Sequence, residues 1–181
     1  ADEIGRDDRV YLGLAGHLLP TTVTSVLKVC LAAPHEWRLE QATATGLSRR
    51  DGERRIARDD EIRAEWTRLV ADRGPWDTSL YDVFVAVQET GVADTVEQLV
   101  EYARRPELTT TSAVEQAIRD FRLAAEVGLV LAEHGHDVDV AARQGRVEVL
   151  IKHHSLFLER LERELAEVTH GVKGVSEVSA R

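Results

Sequence analysis

The sequence predicts a mainly α-helical protein with a small β-hairpin late in the chain and a helix near its end. Apolar residues recur at helical spacing over most of the 181 residues. Capping residues and helix-breaking Gly or Pro separate these segments from one another. Alternation with a period of two residues, which is typical of strands, starts only after residue 128.

Composition and charge narrow the class of protein. A content of 43% hydrophobic and 30% charged residues is typical of a folded chain rather than a disordered one. We expect no membrane partner, because no apolar run reaches the ~18 residues of a membrane-spanning helix. The opening Ala1-Asp2-Glu3 is acidic and is not followed by the apolar segment of a signal peptide, so we expect no secretory signal. The single cysteine, Cys30, excludes an internal disulfide framework and favours the reducing cytoplasm.

The first half of the chain reads as four helices. They are expected over residues 23–33, 38–45, 49–58 and from 59 or 60 to about 70. Gly46 supplies the left-handed backbone conformation that ends the second helix. Ser48 can cap the third helix, and Asp59 or Asp60 the fourth. Gly74-Pro75 ends the fourth helix and marks the expected boundary within the chain.

The second half reads as three helices, a hairpin and a final helix. The three helices are expected over residues 80–90, 95–104 and 113–127. The pairs Asp94/Glu97 and Ser112/Glu115 have capping-box spacing. Alternating apolar residues predict strands within 129–151, followed by a helix over 152–168. Residues 171–181 are predicted to fray.

Residues 31–50 resemble the helix-turn-helix of prokaryotic regulators. Ala42 lets two helices approach, Gly46 makes the sharp turn, Leu47 fills the core beneath it, and Ser48 caps the next helix. The resemblance implies that the helix after Ser48 enters the major groove of DNA. Gly52 departs from the pattern, since this family has a branched apolar residue there and Gly in a helix interior costs ~1 kcal/mol.

Residues 79–168 look like a winged helix, in which 129–151 would be the wing. The resemblance implies tandem helix-turn-helix-type units with a small β-hairpin wing and a C-terminal helix. The domains expected on this basis are a helix-turn-helix unit at 1–74, a winged-helix-like unit at 75–151, a dimerisation helix at 152–170 and a flexible tail at 171–181.

The function predicted from these resemblances is DNA binding, by a dimeric cytoplasmic transcriptional regulator whose partners are double-stranded DNA and a second copy of itself. The candidate DNA-binding residues are Arg49, Arg50, Arg54, Arg55, Arg58, Arg143 and Arg146. Arginine contacts phosphates and pairs bidentately with guanine. The candidate dimerisation residues are Leu158, Leu161 and Leu165.

An alternative interpretation treats the arginine-rich helix as a solvated charged face, neutralised by Asp51, Glu53 and Asp59. The chain would then be a non-enzymatic interaction or assembly subunit, such as a docking adaptor or a virion component, with a protein partner. The net charge of −9 and the unusual Gly52 favour this alternative.

Signatures of catalysis, metals and cofactors are weak. The sequence has no Gly-rich phosphate loop and no His-Glu-x-x-His motif, so we expect neither an enzyme nor a bound cofactor. His134, His136 and the pair His153-His154 suggest a metal site, but a structural or exposed cluster is the favoured interpretation, so no metal ligand is predicted. Cys30 is expected to be a buried inert thiol.

Overall fold

The computed structural model describes residues 9–152 and 157–181. These residues form two compact units. We call Leu12–Leu19 together with Thr24–Thr109 the N-terminal unit. Residues 110–181, with residues 9–11 and 20–23, make up the C-terminal unit. Within the ranges described, no helix combines the length and the apolar character needed to cross a membrane.

The N-terminal unit is built around two parallel strands. Its elements are a 3-10 helix at Ala15–Leu18, β1 at Val29–Ala32, α1 at His35–Ala44, α2 at Arg49–Ala71, a 3-10 helix at Thr78–Leu80, β2 at Val83–Ala86, α3 at Val87–Thr90, α4 at Val92–Ala103 and a 3-10 helix at Pro106–Leu108. Val29 lies opposite Val83, and Ala32 lies opposite Ala86. Parallel strands need a crossover connection, and here α1 and α2 provide it.

The corner between α1 and α2 follows the local chemistry expected from the sequence. Gly46 has a φ of 97°, which suits glycine and ends α1. The Ser48 hydroxyl accepts a hydrogen bond from the Asp51 backbone N–H at 3.1 Å, which caps α2. Gly52 is buried, and a Cβ there would lie 2.9 Å from Leu39 Cδ1. Glycine is therefore present because α1 and α2 pack closely.

The C-terminal unit combines two helices with a three-stranded sheet. Its elements are α5 at Ser112–Glu133, β3 at Val138–Arg143, β4 at Arg146–Ile151, α6 at Leu158–His170 and β5 at Glu177–Ala180. The strand order is β3-β4-β5. β3 runs antiparallel to β4, and β5 runs parallel to β4.

The core of the C-terminal unit is apolar. Its buried residues are Val127, Leu131, Val147, Val149 and Leu165, each at most 2% exposed. They come from α5, β4 and α6, so this core joins both helices to the central strand. Alternate residues of β4 supply two of the five, as expected for a strand with one covered face.

The prediction of a mainly α-helical fold is wrong, because the described residues form an α/β structure with five strands in two sheets. Residues 29–32 are β1 where a helix over 23–33 was expected, and 83–86 are β2 within the expected helix 80–90. Both segments are short apolar runs, for which periodicity does not separate a helix from a buried strand. Asp59 and Asp60 cap nothing, since α2 continues through both.

The later elements agree better with the sequence. Helix α4 lies close to the predicted 95–104, and the hairpin lies within 129–151. Helix α5 continues to Glu133, and Thr111 rather than Ser112 caps it. Residues 177–180 form β5 where a frayed tail was expected. A third strand parallel to β4 is not part of the predicted hairpin wing.

Candidate functional site

A line of polar side chains runs beneath α2 in the N-terminal unit. We call this line the polar seam, and its members are Arg38, Asp60, Arg63, Cys30, Tyr81 and His17. Asp60 and Arg63 lie one helical turn apart on α2. Arg38 belongs to the first turn of α1, which starts three residues after β1 ends. The seam therefore combines side chains from α1 and α2 with Cys30 of β1, Tyr81 just before β2, and His17 of the first 3-10 helix.

One carboxylate holds two guanidinium groups at one end of the seam. Arg38 Nη1 and Nη2 donate to the two oxygens of Asp60 at 2.7 and 2.8 Å. Arg63 Nη1 donates to Asp60 Oδ1 at 3.2 Å. The hydrogen bond from Arg38 holds the pKa of Asp60 below its usual value. The charge of Asp59 also acts on Arg38, so two guanidinium groups face two carboxylates at this end of the seam.

Arg38 has one hydrogen-bond donor without a partner among the described residues. Its side chain is only 23% exposed, and its Nε is buried without a hydrogen-bond partner among the described residues. Buried polar atoms are nearly always paired, so an orphaned donor requires an explanation. An anionic ligand accepting from this nitrogen would supply one.

The other end of the seam is aromatic and weakly polar. The Tyr81 hydroxyl donates to the Pro75 carbonyl at 2.8 Å, and its ring meets His17 edge-on with centroids 5.3 Å apart. Burial raises the pKa of the Cys30 thiol, so that thiol stays protonated and inert at neutral pH. Burial, followed by the charge of Lys28, lowers the pKa of His17. His17 Nδ1 is a second buried atom without a partner in the described chain.

The geometry suits recognition of a phosphorylated ligand. Guanidinium groups form short, charge-assisted and often bidentate hydrogen bonds with phosphate oxygens. Ligands of parallel α/β sheets bind beyond the carboxyl ends of the strands. Arg38 lies in the helix that begins just beyond the carboxyl end of β1.

The seven predicted DNA-binding arginines are divided between the two units. Five lie along α2, and Arg143 and Arg146 lie at the hairpin end. Arg49 pairs with Glu36 and Glu53, and Arg54 with Asp51. Arg55 lies 4.0 Å from Asp59, and Arg146 lies 3.0 Å from Glu177. Arg50, Arg58 and Arg143 make no ion pair within the described residues.

The predicted dimerisation leucines have different environments in α6. Leu165 is completely buried in the core of the C-terminal unit, and Leu161 packs against that core. Both side chains therefore pack within the chain itself. Leu158 is 45% exposed.

His134 and His136 follow directly after α5. His134 Nδ1 lies 2.8 Å from the Val130 carbonyl, and His136 Nε2 lies 3.6 Å from Glu164 Oε1. Across the residues that the structure covers, no three His, Cys, Asp or Glu side chains are grouped to hold a metal ion. His153 and His154 lie outside the described residues.

Comparison with known proteins gives a family match in the N-terminal half of the chain. Residues 1–89 match the model of the cytidylate kinase-like family. This range contains β1, α1, α2 and β2, and it contains the whole polar seam. A search of curated proteins gave no significant match. A search of solved structures gave none either.

The predicted function is wrong. The family match covers the entire segment that was interpreted as a helix-turn-helix, and it indicates a nucleotide kinase rather than a DNA-binding transcriptional regulator or a non-enzymatic assembly subunit. The same match contradicts the expectation that the chain is not an enzyme. The structure supplies the physical reason, because the first expected helix of the motif is β1 and the third is only the start of α2.

Sequence reasoning missed Arg38 and Arg63. It gave Asp60 only a possible capping role, because a carboxylate before an apolar stripe resembles a helix start. Asp60 and Arg63 have the spacing of an intrahelical ion pair, which was the available signal. Arg38 lies 22 residues from Asp60 along the chain, and no local pattern predicts that contact.

Proposed function

We propose that the N-terminal unit binds a pyrimidine nucleoside monophosphate of the cytidylate type, as the phosphate acceptor in nucleotide-kinase chemistry. The observation that carries this proposal is the arrangement of Arg38, Asp60 and Arg63 inside the segment that matches the cytidylate kinase-like family. The family match supports a cytidylate-type nucleotide as the ligand, and the two arginines supply groups that can bind its phosphate.

Arg38 and Arg63 are the proposed phosphate-binding residues. In phosphoryl transfer the protein contributes positioning and charge neutralisation, and arginine is suited to both tasks. Asp60 is a positioning residue, because it holds both guanidinium groups and does not itself meet the anion. Its negative charge also lowers the cost of bringing two cations together without ligand.

The polar seam is proposed to hold the acceptor nucleotide rather than ATP. ATP-binding P-loop enzymes hold the phosphates with the sequence Gly-x-x-x-x-Gly-Lys-Ser/Thr, which does not occur in the 181 residues. We also propose the reducing cytoplasm as the location, supported by the single, buried and unpaired Cys30.

Isothermal titration calorimetry tests the proposal with the full chain. We expect CMP to bind, and cytidine, which lacks the phosphate, to bind at least ~10-fold more weakly, since a charged hydrogen bond contributes about 1.5–3 kcal/mol. Arg63→Ala should weaken CMP binding by about 10-fold or more on the same basis.

Arg68→Ala is the matched control, because Arg68 lies on the same helix and makes no ion pair in the described chain. It should leave CMP affinity unchanged. The proposal fails if CMP and cytidine bind equally, if CMP does not bind at millimolar concentration, or if Arg63→Ala and Arg68→Ala have the same effect.

A further inference from the structure

One aromatic side chain of the parallel sheet is open to solvent beside the polar seam. Phe84 of β2 is 42% exposed, whereas its neighbours Val83 and Val85 are buried on the opposite face of the strand. In the register of the sheet, Phe84 lies opposite Cys30, which is a member of the seam. Residues paired in this way point to the same side of a sheet, so Phe84 shares a face with the seam.

The ring of Phe84 contacts Tyr81, a second member of the seam. The two rings meet at an interplanar angle of 70° with centroids 6.4 Å apart. In such an edge-to-face contact one ring presents its edge to the other, so Tyr81 covers at most one face of the Phe84 ring. The hydrogen bond from the Tyr81 hydroxyl to Pro75 fixes this arrangement before a ligand binds. Phe84 therefore offers a preorganised aromatic surface to solvent.

Tyr81 also connects Phe84 to the proposed phosphate-binding residues. Burial raises the pKa of the Tyr81 hydroxyl, and the positive charge of Arg63 opposes that rise. Burial likewise raises the pKa of the Cys30 thiol, and Arg63 opposes this rise as well. Arg63 and Phe84 are thus both close to Tyr81, the first through its charge and the second through its ring.

We propose that Phe84 is the stacking surface for the base of the nucleotide whose phosphate binds Arg38 and Arg63. This inference rests on the proposed function, and it places the other end of the same ligand. A nucleoside monophosphate carries a charged phosphate and a flat aromatic base at opposite ends of one ribose. The seam supplies guanidinium groups for the phosphate, and Phe84 supplies an exposed ring for the base.

The neighbouring arginines are the argument for a nucleotide base as the occupant. A single exposed apolar side chain is ordinary on a protein surface and indicates no ligand by itself. Here the exposed ring shares a sheet face with a cluster that suits an anion, so a ligand that is anionic at one end and aromatic at the other matches both.

Stacking on Phe84 contributes affinity rather than a choice between bases. Every base has a flat π surface, so an aromatic side chain accepts cytosine and uracil alike. Phe84 should therefore distinguish a nucleotide from a sugar phosphate that has no base.

Isothermal titration calorimetry of the full chain with CMP and with ribose 5-phosphate tests the stacking, because ribose 5-phosphate keeps the phosphate and lacks the base. The wild-type chain should bind CMP about 10-fold or more tightly than ribose 5-phosphate, as expected for one base stacked on an aromatic ring. Phe84→Ala should weaken CMP binding about 10-fold and leave ribose 5-phosphate binding within about 2-fold of wild type. Phe84→Trp keeps an aromatic surface, so CMP affinity should stay within about 3-fold of wild type.

Leu31→Ala is the matched control, because Leu31 is 54% exposed on the opposite face of the same sheet. It should leave the affinity for both ligands unchanged. A measurement on the wild-type chain tests the stacking even if circular dichroism shows that Phe84→Ala does not fold. The proton NMR signals of the cytosine ring should move upfield on binding, since these protons would lie over the face of an aromatic ring.

Equal affinity of the wild-type chain for CMP and ribose 5-phosphate overturns the stacking and leaves the proposed phosphate site standing. A folded Phe84→Ala variant that binds CMP as well as wild type, or that weakens both ligands alike, has the same meaning. Cytosine signals that do not move upfield in bound CMP also overturn the stacking. A chain that binds neither ligand at millimolar concentration overturns the proposed function and this inference with it.

Discussion

The N-terminal unit places charged and hydrogen-bonding side chains beneath its longest helix, whereas the C-terminal unit fills the same kind of position with five apolar side chains. Each unit contains two buried polar atoms without a hydrogen-bond partner among the described residues: Arg38 Nε and His17 Nδ1 in the N-terminal unit, and His136 Nε2 and Thr169 Oγ1 in the C-terminal unit. The units therefore differ in the chemistry of these atoms and not in their number. The unpaired donor of Arg38 belongs to a guanidinium group that shares a carboxylate with Arg63, which favours the N-terminal unit for binding an anion.

The largest effect is expected in the apolar core. Leu165→Ala should destabilise the C-terminal unit by about 3 kcal/mol, because it removes a completely buried side chain and leaves a cavity. Amide hydrogen exchange in β4 measures this loss, since Val147 and Val149 pack in the same core. Leu158→Ala on the same helix is the control and should cost about 0.5 kcal/mol or less, because Leu158 is 45% exposed. Equal effects of the two substitutions would contradict this description of the core.

An intermediate effect is expected in the polar seam. Asp60→Asn should destabilise the N-terminal unit by about 1–2 kcal/mol at pH 7, since it leaves two guanidinium groups without their shared anion. The value is below that for a fully buried pair because Asp60 is 34% exposed and solvent screens it. Tryptophan fluorescence during urea unfolding is a suitable measurement, because all three tryptophans belong to this unit.

Asp60→Asn should also change how the stability of the N-terminal unit depends on pH. The pKa of Asp60 is lower in the folded protein, so its stabilising contribution is fully present above the unfolded pKa of ~3.9. The contribution is lost as the pH falls from the unfolded pKa through the lowered folded pKa. The wild-type chain should therefore lose its advantage over Asp60→Asn in acid. A difference between the two that stays constant down to pH 2 would exclude this ion pair as its cause.

The smallest effect is expected on the surface of α2. Arg49→Ala should change stability by about 0.5 kcal/mol or less, although Arg49 has two carboxylate neighbours, because exposed ion pairs contribute little. The substitution should also leave CMP binding unchanged, which separates this solvated surface from the seam. A loss of CMP affinity as large as that of Arg63→Ala would move the proposed site onto the exposed face of the helix.

Local chemistry made part of the fold predictable. Gly46 and Ser48 mark the corner between α1 and α2, and alternation marks β3 and β4. Strands that depend on distant partners were missed. β1 pairs with a strand more than 50 residues later, and β5 joins the sheet only through β4. Pairing of this kind depends on tertiary packing, which overrides the weak periodicity of a four-residue segment.

The candidate site was less predictable than the fold. The high density of arginines predicted a site on the outer face of α2. Most of these arginine charges are neutralised there by neighbouring carboxylates. The residues of the seam are sparse in sequence and converge only when α1 folds back on α2. Spacing along one helix can predict the contact between Asp60 and Arg63, and Arg38 has no such signal.

The most direct test of nucleotide binding in the polar seam is a titration of the isotope-labelled full chain with CMP, followed by NMR of backbone amides and arginine Nε–H groups. We expect saturable shifts of the Arg38 and Arg63 Nε–H signals, with amides near β1 and α1 following the same curve. The signals of β3, β4 and β5 should stay in place. Saturable shifts confined to the C-terminal unit, or no shift with millimolar CMP, would contradict the assignment of nucleotide binding to the seam.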